Sequence, residues 1–562
     1  MKPVVECVPN FSEGRDTAVI EKISQRMDSV PGAAVLHVDP GKATNRTVMT
    51  LAGDPEAVLE AAFRGIAAAA ELIDMSRHHG EHPRMGATDV CPFVPISGIS
   101  MEEAAELARR LGERVGKELG IPVYLYEAAQ PDETRRRLPD IREGEYEGLE
   151  RKLADPKWKP DYGPAKFNAR TGATVIGARD FLVAYNVNLN TTSTRRANAV
   201  AFDVREAGRP QREGGSLTGK VLTDARGEPL TLPGTLKSVK GIGWFIDEYG
   251  VAQVSMNLTD LSTTPIHVAF DEVERAARDR GMRATGSEIV GLVPLQAMLD
   301  AGRHYLRRQQ RSLGVSDREL IHIAIRSLGL DEFTPFVPED RIIEYKLRDP
   351  GDRRLVSMPL EDFVIETASE SPAPGGGSVS AAVGAMAASL ATMVANLSSH
   401  KRGWDERWEE FSTWAERGQN IQAELLRLVD ADTKAFDAVL AAMQMPKGTQ
   451  QEKDARRSTL DAAIVNAAQV PFAVMQQSMK VFEIAQAMAE TGLPASVSDA
   501  GVAACCARTA VRGAWLNVRI NAGTLKDRSL VQPMLEEGAT LVAEADQRER
   551  EVLGIVDGKM GG

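Results

Sequence analysis

Cysteine is scarce in this chain: Cys7, Cys91, Cys505 and Cys506 are the four in 562 residues. The last two are adjacent, an arrangement that rarely pairs, and no CxxC spacing occurs. The sequence therefore shows neither a disulfide framework nor a zinc ribbon, and a reducing cytoplasm is the expected compartment. Positive charge is also in deficit. The formal net charge is −12, which argues against general nucleic-acid binding, because that needs a basic face. An anionic small molecule is still accommodated, since local arginines and lysines can line a positive cleft. The opening Met1-Lys2-Pro3-Val4-Val5-Glu6 has too short an apolar run for a signal peptide, and charge interrupts it.

What is present is an ordinary soluble composition, 43% apolar and 26% charged, in a chain too long for one hydrophobic core. Several domains are expected. The chain has eight histidines, and three of them fall within Arg77-His78-His79-Gly80-Glu81-His82-Pro83-Arg84-Met85-Gly86-Ala87-Thr88-Asp89. Histidine titrates nearest neutrality, so such a cluster suits proton transfer or metal binding. Arg77 and Arg84 flank it and are suited to holding a carboxylate in bidentate fashion. A metal site would use His78, His79 and His82, with Glu81 as a further ligand. Gly80 and Pro83 oppose the helix such spacing needs, so the segment reads as a loop. The same stretch, continued by Asp89-Val90-Cys91-Pro92-Phe93, resembles the signature of glutamate formimidoyltransferases. The resemblance makes His82 the catalytic histidine.

Strands are expected at Val4 to Val8, Ala33 to Val38, Thr47 to Leu51, Val90 to Pro95 and Val123 to Tyr126. Helices are expected at Thr17 to Met27, from Pro55 with Asp54 as N-cap, and at Glu102 to Glu118. This alternation predicts a layered sheet-and-helix domain. His37 and Asp39 share one side of the second strand, and Asp39, at its end, is a candidate partner for the catalytic histidine or a turn-forming residue. Asp132 to Lys159 reads as a solvated helix and connector. In the loop Gly163 to Gly172, glycines permit close approach to a ligand. The resemblance assigns it to folate through Gly163, Pro164, Phe167 and Gly172. Strands at Phe181 to Asn188, Ala199 to Arg205, Trp244 to Asp247 and Val251 to Asn257, with a helix from Val273 to Gly281, suggest a second α+β subdomain. There Phe202 and Val204 share a strand face, either as core or lining a pterin pocket. Arg205 to Thr235 reads as a surface insertion.

Beyond about residue 359 the alternating pattern is nearly gone and alanine-rich helical periods replace it. No Asp, Glu, Lys or Arg occurs between Glu370 and Lys401. That length would permit a membrane span. However, the helix Ser378 to Leu397 is dominated by Ala, Ser, Gly and Met, so a buried helix is expected. Gly375-Gly376-Gly377-Ser378 sits at its N-terminus, where free amides favour an anion. It is neither a Walker loop nor a dinucleotide fingerprint. It resembles the Pro-Gly-Gly-Gly-Ser loop of formimidoyltetrahydrofolate cyclodeaminases, in which it would contact folate. Further on, Leu425, Leu428, Val429, Phe436, Val439 and Met443 form an apolar stripe. Asp432 falls on that stripe, whereas Asp430 and Asp437 fall on the polar side. A carboxylate on a buried face is costly unless paired or functional. Leu428-Val429-Asp430-Ala431-Asp432 resembles the cyclodeaminase motif whose second aspartate is catalytic, which is Asp432.

Together these segments resemble a bifunctional formimidoyltransferase-cyclodeaminase of histidine breakdown and one-carbon metabolism. The implied architecture is multidomain. An α+β transferase half has subdomains 1–178 and 179–328. A linker, 329–356, joins it to an all-α cyclodeaminase domain, 357–562. The implied chemistry moves a formimidoyl group from N-formimidoyl-L-glutamate to N5 of tetrahydrofolate. It then closes the ring to 5,10-methenyltetrahydrofolate with loss of ammonia. Arg84 would orient the first substrate. Tetrahydrofolate is a co-substrate, possible polyglutamylation included, and no metal or nucleotide is expected. No nucleic acid or membrane partner is expected, and the helical domain should self-associate. Two other classes stay open: a folate-binding scaffold with only one active half, and a metal-dependent amidohydrolase using the histidine cluster.

Overall fold

The structure is a computed structural model, and it describes all residues except 1–2, 43, 81–83, 216–218, 225, 228, 349–354, 526 and 562. The chain divides into two compact units. One comprises 1–301 with 325–347, and the other 302–324 with 348–562.

The first unit begins with β1 (Val4–Cys7), β2 (Asn10–Phe11), α1 (Thr17–Asp28), β3 (Ala33–Gly41), β4 (Arg46–Gly53) and α2 (Pro55–Leu72). Next come β5 (Thr88–Ser97), α3 (Met101–Arg114), β6 (Val123–Glu127), α4 (Leu138–Arg142), α5 (Leu149–Ala154) and β7 (Thr174–Ala178). The seven strands form one mixed sheet, with β3 on β4, β1 and β2 both between β4 and β5, then β7 and β6. The β5–β7 and β6–β7 pairs are parallel. Period-two alternation explains why both faces are covered. Cys91, Phe93, Val123 and Leu125 face the core shared with α1, α2 and α3. Their neighbours Val90, Tyr124 and Tyr126 face a second core with Ile141 of α4 and Leu149 of α5. Pro55 occupies the first turn of α2 as expected, although Asp54 makes no side-chain cap. Strand β3 runs on to Gly41, so Asp39 lies within it, in register with Val48 and exposed, rather than at its end. In β1, Glu6 is buried at 4% exposure. Burial pushes its carboxyl up to about 7, against the opposing charge of Arg179, and Glu344 adds to the rise.

The same unit continues through β8 (Val183–Leu189), α6 (Thr194–Val204), β9 (Arg209–Pro210), β10 (Thr231–Leu232), β11 (Val239–Ile246), β12 (Val251–Leu258), α7 (Ile266–Arg278) and β13 (Ala284–Val290). A four-stranded antiparallel sheet has the order β11-β12-β8-β13, with α6 and α7 packed on it. The expected strand Ala199 to Arg205 is instead the C-terminal part of α6. The Ser193 side chain caps that helix by accepting from the Arg196 amide. Two residues apart on a helix is about 200° of rotation, so Phe202 and Val204 do not share a face. Val204 is fully buried in the core, and the guanidinium of Arg205 lies 4.1 Å from the Phe202 ring centroid. Val204 therefore lines no pterin pocket. In the insertion, β9 and β10 form a two-stranded ribbon.

Helices α8 (Leu295–Arg308) and α9 (Asp317–Leu328), and the short α10 (Pro338–Arg341) and α11 (Ile343–Lys346), precede the helical half. There α12 (Leu360–Thr367) leads to α13 (Gly376–Ser399), α14 (Trp408–Gln444), α15 (Gln450–Thr491), α16 (Val497–Thr524) and α17 (Gln532–Met560). Helix α13 is long and apolar enough to cross a membrane. It packs instead against α14, α15 and α16. Most of its alanines, among them Ala381, Ala388 and Ala391, are fully buried, and small side chains let these backbones approach closely.

Candidate active sites

The transferase-like site is organised by the segment just beyond α2. A short 3₁₀ turn, Met75–Arg77, delivers His78 into the interior at 7% exposure. Arg84 Nε donates to His78 Nδ1 (3.2 Å), and the other ring nitrogen, Nε2, lies 2.8 Å from the Asn45 carbonyl. A guanidinium has no acceptor, so Nδ1 must be the acceptor and Nε2 must carry the proton. Burial holds the imidazole below its ordinary value. The Asn45 carbonyl opposes that, and the charge of Arg84 adds to it. With both nitrogens used, His78 is a structural group rather than a base or a metal ligand, which removes one member of the three-histidine metal alternative. His79 is exposed, and its carbonyl accepts from Asn45 Nδ2 at 3.0 Å. Among the described residues no group of three candidate metal ligands occurs. Glu81, His82 and Pro83 lie outside the described residues.

Arg84 is buried at 8% exposure and forms a two-pronged pair with Glu147, through Nη2 to Oε1 (2.7 Å) and Nη1 to Oε2 (3.1 Å). Its fork is thus engaged by protein carboxylate and by His78. Asp89, fully buried, accepts from the Met85 amide at 3.0 Å and pairs with Arg142. Arg46 lies within electrostatic reach of Asp89, Arg142 and Asp39. Asn45 joins three segments: besides its contacts to His78 and His79, its Oδ1 accepts from the Gly14 amide at 3.0 Å.

The loop 163–172 meets this assembly directly. Gly86 and Gly172 form an antiparallel bridge. The Ala87 amide donates to the Thr171 carbonyl (2.9 Å), and the Ala173 amide to the Met85 carbonyl (3.0 Å). Gly172 has φ +64°, and a Cβ there would stand 2.2 Å from the Met85 carbonyl oxygen. Glycine is therefore required both by conformation and by space. Phe167 is half-buried, 5.5 Å from the Tyr146 ring. Gly163 and Pro164 are exposed at the loop's start.

In the helical unit two separate motifs meet. Asp432 of α14 accepts from Ser378 at the start of α13, through Oδ2, from the backbone amide (2.8 Å) and the hydroxyl (3.1 Å). The N-cap residue Gly375 makes no side-chain cap, so this carboxylate satisfies an amide left open at the helix start. Gly377 packs on the carboxyl itself: a Cβ there would lie 2.1 Å from Oδ1. Gly376 lies beside the amide of Asn517 on α16. Burial raises the Asp432 carboxyl above its ordinary value, and the hydroxyl and amide of Ser378 pull it part-way back. Asp430 differs from its expected place on a solvated face. It is buried at 6% exposure and accepts from the Leu355 (2.7 Å) and Val356 (3.3 Å) amides. Phe436 and Met443, expected in the buried stripe, are exposed at 42% and 49%.

Residues 4–179 match the family described as the N-terminal subdomain of the formiminotransferase domain, 184–348 the formiminotransferase domain, and 359–540 formiminotransferase-cyclodeaminase. The chain is 42% identical over 554 residues to the formimidoyltransferase-cyclodeaminase of Sus scrofa, covering 98% of both chains. This chain belongs to the formimidoyltransferase-cyclodeaminase family. Relatives of the separate halves exist too. A glutamate formimidoyltransferase of Streptococcus pyogenes is 39% identical over 55% of this chain and 94% of its own. A methenyltetrahydrofolate cyclohydrolase of Methylorubrum extorquens is 36% identical over 36% of this chain and 97% of its own.

Seen as a formimidoyltransferase-cyclodeaminase, the chain contains supporting residues that sequence patterns did not single out. Asn45 adopts φ +48°, a backbone state asparagine tolerates better than most residues, but only its remote partners reveal its role. Arg142 and Glu147 lie in the charged connector, where a solvated face was the natural reading.

Proposed function

We propose that this enzyme catalyses both steps of formimidoyl processing. It transfers the formimidoyl group from N-formimidoyl-L-glutamate to N5 of tetrahydrofolate, and then cyclises the product to 5,10-methenyltetrahydrofolate with release of ammonia. Tetrahydrofolate is its co-substrate. Transfer is assigned to subdomains 1–178 and 179–328, and cyclisation to 357–562, with 329–356 joining them. The observation that carries the second step is the meeting of Asp432 with the Gly375–Ser378 turn, which joins two cyclodeaminase motifs 54 residues apart.

For transfer, His82 is assigned as the base that takes the N5 proton as the amidine carbon is attacked. The bond from that carbon to the glutamate nitrogen then breaks and the proton passes to this nitrogen, so glutamate leaves as its free amine. Asp39 and Arg84 support the site. Because the fork of Arg84 is held by Glu147, its part is to tie its own segment to the connector rather than to clamp a substrate carboxylate. Gly163, Pro164, Phe167 and Gly172 line the folate side, and Phe202 is a more remote candidate. For cyclisation, N10 attacks the amidine carbon. Asp432 removes the N10 proton and returns it to the amidine nitrogen. With the two hydrogens this nitrogen carries in the protonated amidinium form it departs as ammonia, and the positive charge stays on the methenyl product. A raised carboxyl suits that exchange. Gly375, Gly376 and Gly377 leave room for the folate to approach it.

The reading also places the enzyme in the cytoplasm, consistent with four free cysteines, and as a homo-oligomer assembled through its helical half. Met386, Met393 and Leu397 of α13 are exposed apolar residues at helical spacing, as an interface would require. The solution mass of the full chain tests this, and a stable monomer would refute it. The activity test supplies formimidoylglutamate and tetrahydrofolate to purified enzyme and follows the methenyl absorbance. Separate addition of 5-formimidoyltetrahydrofolate isolates the second step. Binding of folate without turnover would leave a scaffold as the better description.

A further inference from the structure

We infer that the two carboxylate oxygens of Asp432 have separate tasks and that Ser378 is the positioning residue that divides them. Ser378 fixes Oδ2, so that Oδ1 is the oxygen exchanging protons with substrate. The inference rests on the reading of Asp432 as the proton carrier.

Both donations from Ser378, from its amide at 2.8 Å and its hydroxyl at 3.1 Å, end on Oδ2. Ser378 is fully buried, so its hydroxyl does not trade this contact for bulk water. A Cβ at Gly377 would stand 2.1 Å from Oδ1, 2.5 Å from Cγ and 2.6 Å from Oδ2. Glycine there gives room to the whole carboxyl, while the serine that follows holds one of its two oxygens. A carboxylate fixed through one oxygen presents the other in a set direction, which is what a group shuttling a proton between two nitrogens of one substrate needs. A carboxylate serving only to cap α13 would need the Ser378 amide but not its hydroxyl.

The test uses the full-length enzyme and single-turnover cyclisation of supplied 5-formimidoyltetrahydrofolate across pH. Ser378→Ala removes one of two donors to the ionised form. The acid limb of the rate profile should therefore move up by about one pH unit, with little change in KM. Ser378→Cys, a weaker donor of similar size, should fall between, and it decides the matter if the alanine variant folds poorly. Formimidoyl transfer in the same preparations reports intact protein. A profile that superimposes on wild type, or a change confined to KM, would overturn the division of tasks. Asp432→Asn separates the two levels: if it cyclises normally the role of Asp432 itself fails. If it is inactive while the Ser378→Ala profile is unmoved, only the present inference fails.

Discussion

Asp430 and Asp432 are separated on α14 by Ala431 alone, yet they accept from different parts of the chain. Asp430 takes the amides of Leu355 and Val356, and Asp432 takes the amide and hydroxyl of Ser378. The first contact is buried and structural, whereas the second lies at the proposed reaction centre.

Their asparagine variants should therefore fail in opposite ways. Asp430→Asn replaces an acceptor with an amide facing backbone donors, and should cost about 1–3 kcal/mol of stability. Cyclisation should be lost only in proportion to unfolding. Asp432→Asn should abolish ammonia release while transfer continues, so that 5-formimidoyltetrahydrofolate accumulates. The carboxyl of Asp432 is raised by burial. Its favourable contribution therefore exists at low pH and is lost as pH rises through its folded value. At neutral pH the Asn variant should melt no lower than wild type. Melting curves and cyclisation rates for both variants check this.

His82→Ala should lower formimidoyl transfer by about 10²–10⁴-fold, the usual cost of losing a general base. Cyclisation of supplied 5-formimidoyltetrahydrofolate should persist. Parallel loss of both activities would contradict two separate sites.

Gly172→Ala forces an L-residue into the left-handed region, at about 1–2 kcal/mol. It also drives a Cβ against the Met85 carbonyl. Transfer should fall and folate binding to the transferase half should weaken, with cyclisation spared. Isothermal titration with folate and the two separate assays measure these effects.

Glu6 gives a pH signature. Its carboxyl is pushed from 4.5 to about 7. The folded state thus binds the proton more tightly than the unfolded chain, and stability declines as pH rises from about 4.5 to about 7. The full loss above that window is about 3 kcal/mol. Glu6→Gln should match wild type near pH 5 and exceed it at pH 8, as read from denaturation midpoints at both pH values.

Much of this was legible in local patterns. The Asp54-Pro55 start, the small-residue helix α13 and the glycine turn before it all announced themselves through spacing and composition. Helix α6 did not. Val200, Phe202 and Val204 alternate with smaller or polar residues in a way that mimics a strand, and the capping serine, Ser193, was the overlooked counter-signal. Asp430 was misjudged because the amides it serves lie 75 residues upstream, beyond the reach of helical periodicity. The partners of Asn45 and Arg84 are similarly remote. Chain folding, not local preference, creates those contacts.

The Asp430 contact also sets where the helical half can be cut from the rest. The family match over this region starts at residue 359, a tempting boundary for a truncated gene. Such a fragment would discard Leu355 and Val356 and leave a buried carboxylate facing no amide, a penalty of the kind that unfolds marginal proteins. Fragments beginning shortly before Leu355 keep this contact, so they should melt higher than those beginning at Pro359. The few residues that precede the homologous domain thus belong to its architecture rather than to the tether.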